Sequence, residues 1–326
     1  MSQKKVLVAD ALSSHGIERI KTVATVDVKT GLKPEELIAI IGEYDALLVR
    51  SQTKVTADVI NAGNKLQIIG RAGVGVDNID INAATERGII VVNAPTGNTI
   101  SAAEHAMALM LSLARHIPQA NTSLKSCQWK RSHFMGTELK SKTLGIIGLG
   151  NIGSEIAKRA RGFEMKVMGY DPYITEERAK SLQVELASLE KIYREADFIT
   201  LHVPLTAQTE NMIGTKELAM MKPTARIINA ARGGLIDEEA LVAAVNNKKL
   251  AGAAVDVFIK EPCTESILFG VENIIVTPHL GASTAEAQDM ATSDVVAQVI
   301  DVFAGRPARY AVNAPYIPAE SLPVIS

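Results

Sequence analysis

Three strand ends late in this chain carry an arginine, two acids and a histidine. Ile227-Ile-Asn-Ala-Ala231 delivers Arg232-Gly233-Gly234, and Ala253-Ala-Val-Asp-Val257 delivers Asp256 and then Glu261-Pro262. Ile274-Ile-Val-Thr-Pro278 delivers His279. A guanidinium can hold a carboxylate and polarise the carbonyl beside it. An imidazole titrates near neutrality and can move one proton, and a neighbouring carboxylate orients the ring and favours its protonated form. Position alone leaves a surface salt-bridge cluster open as the alternative. Of the six histidines, His15, His105, His116 and His133 lie on helices or in polar stretches and read as surface or packing residues. His202 follows a buried strand and precedes Pro204. His279 precedes Leu280-Gly281-Ala282-Ser283, at the carboxyl end of a strand, where open α/β sheets bind ligands.

A second set of residues says what such a proton group would serve. The apolar strand Thr143 to Ile147 runs into Gly148-x-Gly150-x-x-Gly153, with a helical pattern from Ser154. A further strand, Lys166 to Tyr170, ends in Asp171, 18 residues after the last glycine. Gly148 allows the tight turn, Gly150 lets a pyrophosphate approach the backbone, and Gly153 lets helix and strand pack closely. The phosphates would sit on the helix N-terminus. An acid at the end of the second strand accepts from a ribose diol and repels a 2′-phosphate, so the site favours NAD over NADP. A bare glycine-rich turn in an ordinary α/β protein is the alternative, and it lacks this strand–helix–strand–acid context. A nicotinamide enzyme needs from the protein a placed substrate and one moving proton.

These residues need a scaffold, and the rest of the chain supplies one. At 326 residues the chain exceeds the size at which one core usually splits. Strands are predicted near 5–9, 25–29, 46–50, 67–71 and 89–93, with helical patterns such as 34–42 between them. One long helix follows over 101–116, Pro118 marks its boundary, and 121–137 reads as less regular. Strand–helix alternation restarts at Leu144, with strands near 166–170, 198–203, 225–230, 251–256 and 273–277, and a last helix over 284–304. The pattern is α/β: two successive Rossmann-like, doubly wound parallel sheets.

Composition excludes several classes of function. The net charge of -2 gives no electrostatic footprint for nucleic acid or an anionic membrane. The longest apolar helix contains Glu104 and His105 and is too short and polar to span a bilayer. The first strand begins almost at Met1, which leaves no room for a secretory signal, and a cytoplasmic location is expected. Cys127 and Cys263 lie far apart, which argues against a disulfide framework or a zinc site, and no metal is expected. Cys263 reads as incidental, and Trp129 as an interface residue.

In order and spacing, Gly148-Leu-Gly150-Asn-Ile-Gly153, Ala231-Arg232-Gly233-Gly234, Asp256 to Pro262 and Pro278-His279-Leu-Gly281 resemble the D-2-hydroxyacid dehydrogenases. So do Val49-Arg50-Ser51 with Thr53-Lys54-Val55-Thr56, the run from Gly70 to Asn78, and Trp129-Lys130-Arg131 ahead of Phe134 to Leu139. The resemblance covers nearly the whole chain. It implies that His279 is the acid–base group, that Glu261 holds its ring, and that Arg232 grips the carboxylate and carbonyl of the substrate. It implies an NAD shell of Val74, Gly148, Gly150, Asn151, Ile152, Gly153, Asp171, Val203, Ala230, Asp256 and Ala282. Amides around Gly73, Gly75 and Val76 would form an anion nest for the substrate carboxylate, with Asn98 facing the substrate. It also implies a discontinuous division, with 1–97 and 284–326 binding substrate, 98–283 binding NAD, and the active site in the cleft.

The match to the segments around Arg50, Arg71 and Arg131 points to a phosphorylated hydroxy acid, 3-phospho-D-glycerate, oxidised at C2 on the way to serine. Arg50 and Arg71 each end a strand of the first sheet. Arg131 lies in a segment that serves dimer contacts in this family, so it could reach a neighbouring subunit of a homodimer or homotetramer. For each arginine a solvated surface role is the alternative. Two rival functions stay open: another D-2-hydroxyacid dehydrogenase, such as a glyoxylate or hydroxypyruvate reductase, which needs no phosphate site, and an NAD-responsive corepressor-like binding protein. Relatives with regulatory domains continue beyond this point; the apolar ending at Pro323-Val-Ile-Ser326 resembles a cut inside a longer protein, with a naturally short form as the alternative.

Overall fold

The structure is a computed structural model that describes residues 3–314. The chain divides into two compact units, one of residues 1–98 with 282–326 and the other of residues 99–281. The stretch 315–326, read above as the end of the substrate-binding part, lies outside the described residues.

The first unit is built on five parallel strands: β1 (Lys4–Val8), β2 (Ala24–Val28), β3 (Ala46–Val49), β4 (Ile68–Arg71) and β5 (Ile90–Val92). Their order is β2-β1-β3-β4-β5. Helices α1 (Ser14–Lys21), α2 (Pro34–Ile41), α3 (Ala57–Ala62) and α4 (Ile81–Glu86) make the crossovers, and the helix Ala285–Phe303 joins them from the far end of the chain. Both faces are covered, which is why the strands read as continuous apolar runs. Leu7, Leu47, Val49 and Ile69 pack with Leu37 and Ile41 on one face. Val6, Val8, Leu48 and Ile68 pack against Val295, Val296 and Val299 on the other. The strand order turns around β1, so the carboxyl ends of β1, β3 and β4 lie beside a topological switch point.

The second unit carries seven parallel strands: β6 (Thr143–Ile147), β7 (Lys166–Tyr170), β8 (Glu185–Leu186), β9 (Phe198–Leu201), β10 (Arg226–Asn229), β11 (Gly252–Val255) and β12 (Ile274–Val276). They run β12-β11-β10-β9-β6-β7-β8, so the order reverses at β6. The helices are α5 (Thr99–Arg115), α6 (Ile117–Lys125), α7 (Asn151–Gly162), α8 (Glu176–Ser181), α9 (Leu189–Glu195), α10 (Thr215–Met220) and α11 (Glu238–Asn246). Helix α5 buries Ala102, Ala106, Leu109, Met110 and Leu113 and packs with α7 through Ala157 and Ala160. Truncating Leu109 or Leu113 to Ala costs about 2–5 kcal/mol.

The two parallel α/β sheets are those read from the sequence. Two local features differ. The stretch 121–137 is not uniformly irregular: α6 runs to Lys125 and a 3-10 turn covers Arg131–Phe134. No residue of α6 is buried, and its apolar residues Ile117 and Leu124 are exposed, so it contributes nothing to the core that the sequence pattern reports. Strand β8 has two exposed residues and no alternation to read. Among the described residues, no helix is long and apolar enough to cross a membrane.

Candidate active site

The fingerprint sits at the carboxyl end of β6, at the switch point of the seven-stranded sheet. Gly148 has φ +96°, and a Cβ there would meet the His202 carbonyl oxygen at 2.4 Å. A Cβ on Gly153 would lie 2.0 Å from the Gly148 carbonyl oxygen. A Cβ on Gly150, by contrast, would have nothing within 4 Å. The first and third glycines are therefore bound by packing, and the second borders open space above the N-terminus of α7. Gly150 caps that helix without a side chain, so the amides of Asn151 and Ile152 are left for an anion. This is the cradle a dinucleotide pyrophosphate requires.

Asp171 ends β7 and turns toward that loop. Its Oδ2 accepts from the Leu149 amide at 2.8 Å and its Oδ1 from the Tyr173 amide at 2.9 Å. Each carboxylate oxygen has a further lone pair, so acceptor capacity remains for a diol. Val203 borders Gly148, and Ile152 and Ala230 pack against the core beneath the loop.

The neighbouring strands β10, β11 and β12 bring Arg232, Glu261 and His279 to one edge of this sheet. His279 Nδ1 lies 2.6 Å from Glu261 Oε2. A carboxylate only accepts, so Nδ1 carries the proton and Nε2 is left for chemistry. The Phe258 amide donates to Glu261 Oε1 at 3.1 Å, which fixes the carboxylate in turn. Burial acts to raise the Glu261 carboxyl, but the bonds from His279 and Phe258 outweigh it and hold the group below its usual range. The loop of Arg232 is tied down by buried Asn229, whose Nδ2 donates to the Arg232 carbonyl at 2.8 Å and whose Oδ1 accepts from the Ala231 amide at 3.1 Å. Gly233 lets this loop touch the next one, since a Cβ there would lie 2.1 Å from the Phe258 backbone.

Asp256 is fully buried and works from below. Its carbonyl accepts from the His279 amide at 2.8 Å, and its carboxylate accepts from the Leu280 and Gly281 amides at 2.8 and 2.9 Å. His279 itself is held at φ +54°. Burial works to raise the Asp256 carboxyl, and bonds from His105, Thr277 and Leu280 hold it low nonetheless. His105, read from the sequence as a surface or packing residue, is partly buried with its Nε2 3.1 Å from Asp256 Oδ1. His202 turns its Nε2 to the Thr200 hydroxyl at 2.8 Å while its shielded Nδ1 finds no partner among the described residues, and burial pushes the imidazole down to about 3.

The first unit holds the remaining candidates apart from Arg131. Arg50 follows β3 and Arg71 ends β4, and Val49 pairs with Arg71 across the two strands. Buried Asp10 accepts from the Arg50 amide at 2.6 Å and from the Thr53 hydroxyl at 2.6 Å. Asn78 Nδ2 donates to the carbonyls of Arg50 and Thr53 at 2.8 and 2.7 Å, and its Oδ1 accepts from Arg71 Nε at 3.3 Å. Gly73 makes room for the guanidinium of Arg71, which lies 2.4 Å from where a Cβ would stand. The amides of Val74, Gly75 and Val76 find no hydrogen-bond acceptor among the described residues, while Asn93 Nδ2 donates to the Val74 carbonyl at 2.6 Å. Asn98 Oδ1 is shielded and finds no hydrogen-bond partner among the described residues. Ala282 falls in this unit as well. Arg131 lies in the second unit, exposed on its short 3-10 turn. Sequence reasoning gave Asp10, Asn78 and His105 no role in the site. Asp10 carried one signal, a charge directly after the apolar run Val6 to Ala9.

Residues 107–281 match the family model described as D-isomer specific 2-hydroxyacid dehydrogenase, NAD binding domain. The chain belongs to this family of NAD-binding oxidoreductases. It is 57% identical over 311 residues to the D-3-phosphoglycerate dehydrogenase of Synechocystis sp., covering 95% of this chain and 56% of that relative. The D-3-phosphoglycerate dehydrogenase of Methanocaldococcus jannaschii is 53% identical over 98% of this chain and 61% of its own length. The chain thus spans little more than half the length of these relatives. Among solved structures, the TT0316 protein of Thermus thermophilus superposes with a TM-score of 0.87 at 32% identity, covering 94% of this chain and 99% of that one.

Proposed function

We propose that this chain is the catalytic part of an NAD-dependent enzyme that oxidises 3-phospho-D-glycerate to 3-phosphohydroxypyruvate, the entry to serine synthesis. The observation that carries the reading is the 2.6 Å pairing of His279 with Glu261 at the edge of the sheet that bears the fingerprint. High identity to D-3-phosphoglycerate dehydrogenases of two organisms supports the substrate.

Bound NAD supplies the acceptor for the hydride that leaves C2 of the substrate. The chain's own residues do the rest. His279 Nε2 takes the C2 hydroxyl proton as the carbonyl forms, and Glu261 stabilises the resulting imidazolium. Arg232 holds the substrate carboxylate and polarises the oxygen at C2. The amides of Val74, Gly75 and Val76 supply an anion nest for the same carboxylate. Arg50 and Arg71 take the phosphate, aimed by Asn78 and Asp10; Arg131 joins them from a second copy.

The exposed apolar residues Ile117, Leu124, Trp129 and Met135, the last two more than 80% accessible, form the surface for that self-association. The enzyme acts in the cytoplasm. NADH oxidation by the purified chain, with 3-phosphohydroxypyruvate, hydroxypyruvate and glyoxylate side by side, tests the substrate. A strong preference for the phosphorylated acid is expected. Equal or reversed preference makes the chain a reductase of simpler acids, and no turnover with NAD still bound makes it a binding protein.

A further inference from the structure

The turn that carries His279 is held from α5. Ser101 and His105 stand one helical turn apart on one face of that helix. The Ser101 hydroxyl donates to the Gly281 carbonyl at 2.9 Å. His105 Nε2 reaches Asp256 Oδ1 at 3.1 Å and Thr277 Oγ1 at 3.3 Å. The Thr277 hydroxyl donates to the same Oδ1 at 2.6 Å. Asp256 in turn accepts from the two amides that follow His279, and its carbonyl from the amide of His279 itself.

We propose that His105 and Ser101 are positioning residues for the acid–base histidine, His105 acting through Asp256 and Ser101 through the Gly281 carbonyl. The chain of contacts has physical reasons at each link. A fully buried carboxylate needs donors on both oxygens, and His105 completes the set on Oδ1. Without that donor the carboxylate tilts toward the partners that remain, and the 279–281 backbone moves with it. His279 sits in the left-handed region, where a non-glycine backbone persists only when its surroundings over-determine it. A sub-ångström shift of its ring then breaks the alignment of Nε2 with the hydroxyl while leaving substrate and cofactor contacts in place. The inference rests on the reaction proposed above only for its kinetic readout.

The test uses His105→Leu, His105→Gln and Ser101→Ala in the intact chain. The Gln amide can place a donor near the position of Nε2, whereas Leu cannot. His105→Leu is expected to lower kcat about tenfold with KM for both substrates within about twofold, and His105→Gln to recover most of the loss. Ser101→Ala should fall between them. The second readout needs no turnover. In the ligand-free protein, the proton bridging His279 Nδ1 and Glu261 gives a far-downfield NMR signal, assigned by its disappearance in His279→Gln. That signal should move or broaden in His105→Leu and return in His105→Gln. An unchanged signal and unchanged kcat in His105→Leu would overturn the proposal. So would a kcat loss in both His105 variants that tracks only their thermal stability. Should the wild type oxidise no hydroxy acid, the reaction assignment fails and the NMR signal alone decides the positioning role.

Discussion

His279 Nδ1 lies 2.6 Å from Glu261 Oε2, and the second oxygen of that carboxylate is fixed by the Phe258 amide. Glu261 thus sets the ring's tautomer and orientation. Glu261→Gln keeps the shape and removes the charge. Turnover should fall roughly 10²- to 10⁴-fold while NAD affinity stays unchanged, measured by steady-state rates and nucleotide titration. The Glu261 carboxyl is held below its usual range, so the paired form persists at neutral pH and is lost only as pH falls through that lowered value.

Arg50 and Arg71 are aimed by Asn78, which bonds the Arg50 carbonyl and Arg71 Nε at once. Arg50→Ala and Arg71→Ala should each raise KM for 3-phosphohydroxypyruvate roughly 10- to 100-fold and leave glyoxylate reduction unchanged. Asn78→Ala should act in the same direction more weakly. Unchanged substrate preference in all three variants would remove the phosphate assignment.

The three glycines of the fingerprint differ in what surrounds them. A methyl on Gly153 meets the Gly148 carbonyl at 2.0 Å, and one on Gly150 meets nothing within 4 Å. Gly153→Ala should lower the melting temperature by roughly 5 °C or more. Gly150→Ala should melt like the wild type and still bind NAD poorly, since its methyl fills the space a pyrophosphate needs. Equal NAD affinity in Gly150→Ala and wild type would place the phosphates elsewhere.

His202 is kept neutral by burial, with its imidazole pushed from 6.5 down to about 3. Between those values the unfolded chain binds a proton that the folded chain does not, so stability falls as pH drops through this window. The loss is about 2 kcal/mol between pH 6.5 and 5 as an upper limit, and the lowered carboxyls of Asp197 and Asp256 add theirs only below the usual carboxylate range. Urea unfolding at several pH values should show a shallower acid slope for His202→Asn. Identical slopes would mean that the ring is protonated in the folded state.

The sequence revealed what depends on residue type and near neighbours. Gly148 and Gly153 are legible because a side chain there would strike neighbouring backbone, Gly150 because it completes their spacing beside open space, and the strands because burial on both faces leaves long apolar runs. His279 and Arg232 stood out because each directly follows such a run. Helix α6 was missed for the opposite reason: it buries nothing. The role of His105 was illegible because its partner, Asp256, is distant along the chain and meets it only after β11 and α5 have packed. Asn78 lay in a quoted segment, yet its three bonds reach across two strand ends that only the sheet brings together.

The central claim is that His279 moves the proton in a hydroxy-acid oxidation. The direct measurement pairs NADH binding by fluorescence titration with NAD reduction by 3-phosphoglycerate, in wild type and His279→Gln. The account predicts nucleotide affinity within about threefold of wild type and turnover lowered by at least about 10³-fold. Turnover within tenfold of wild type in His279→Gln would contradict it and assign the proton to another group.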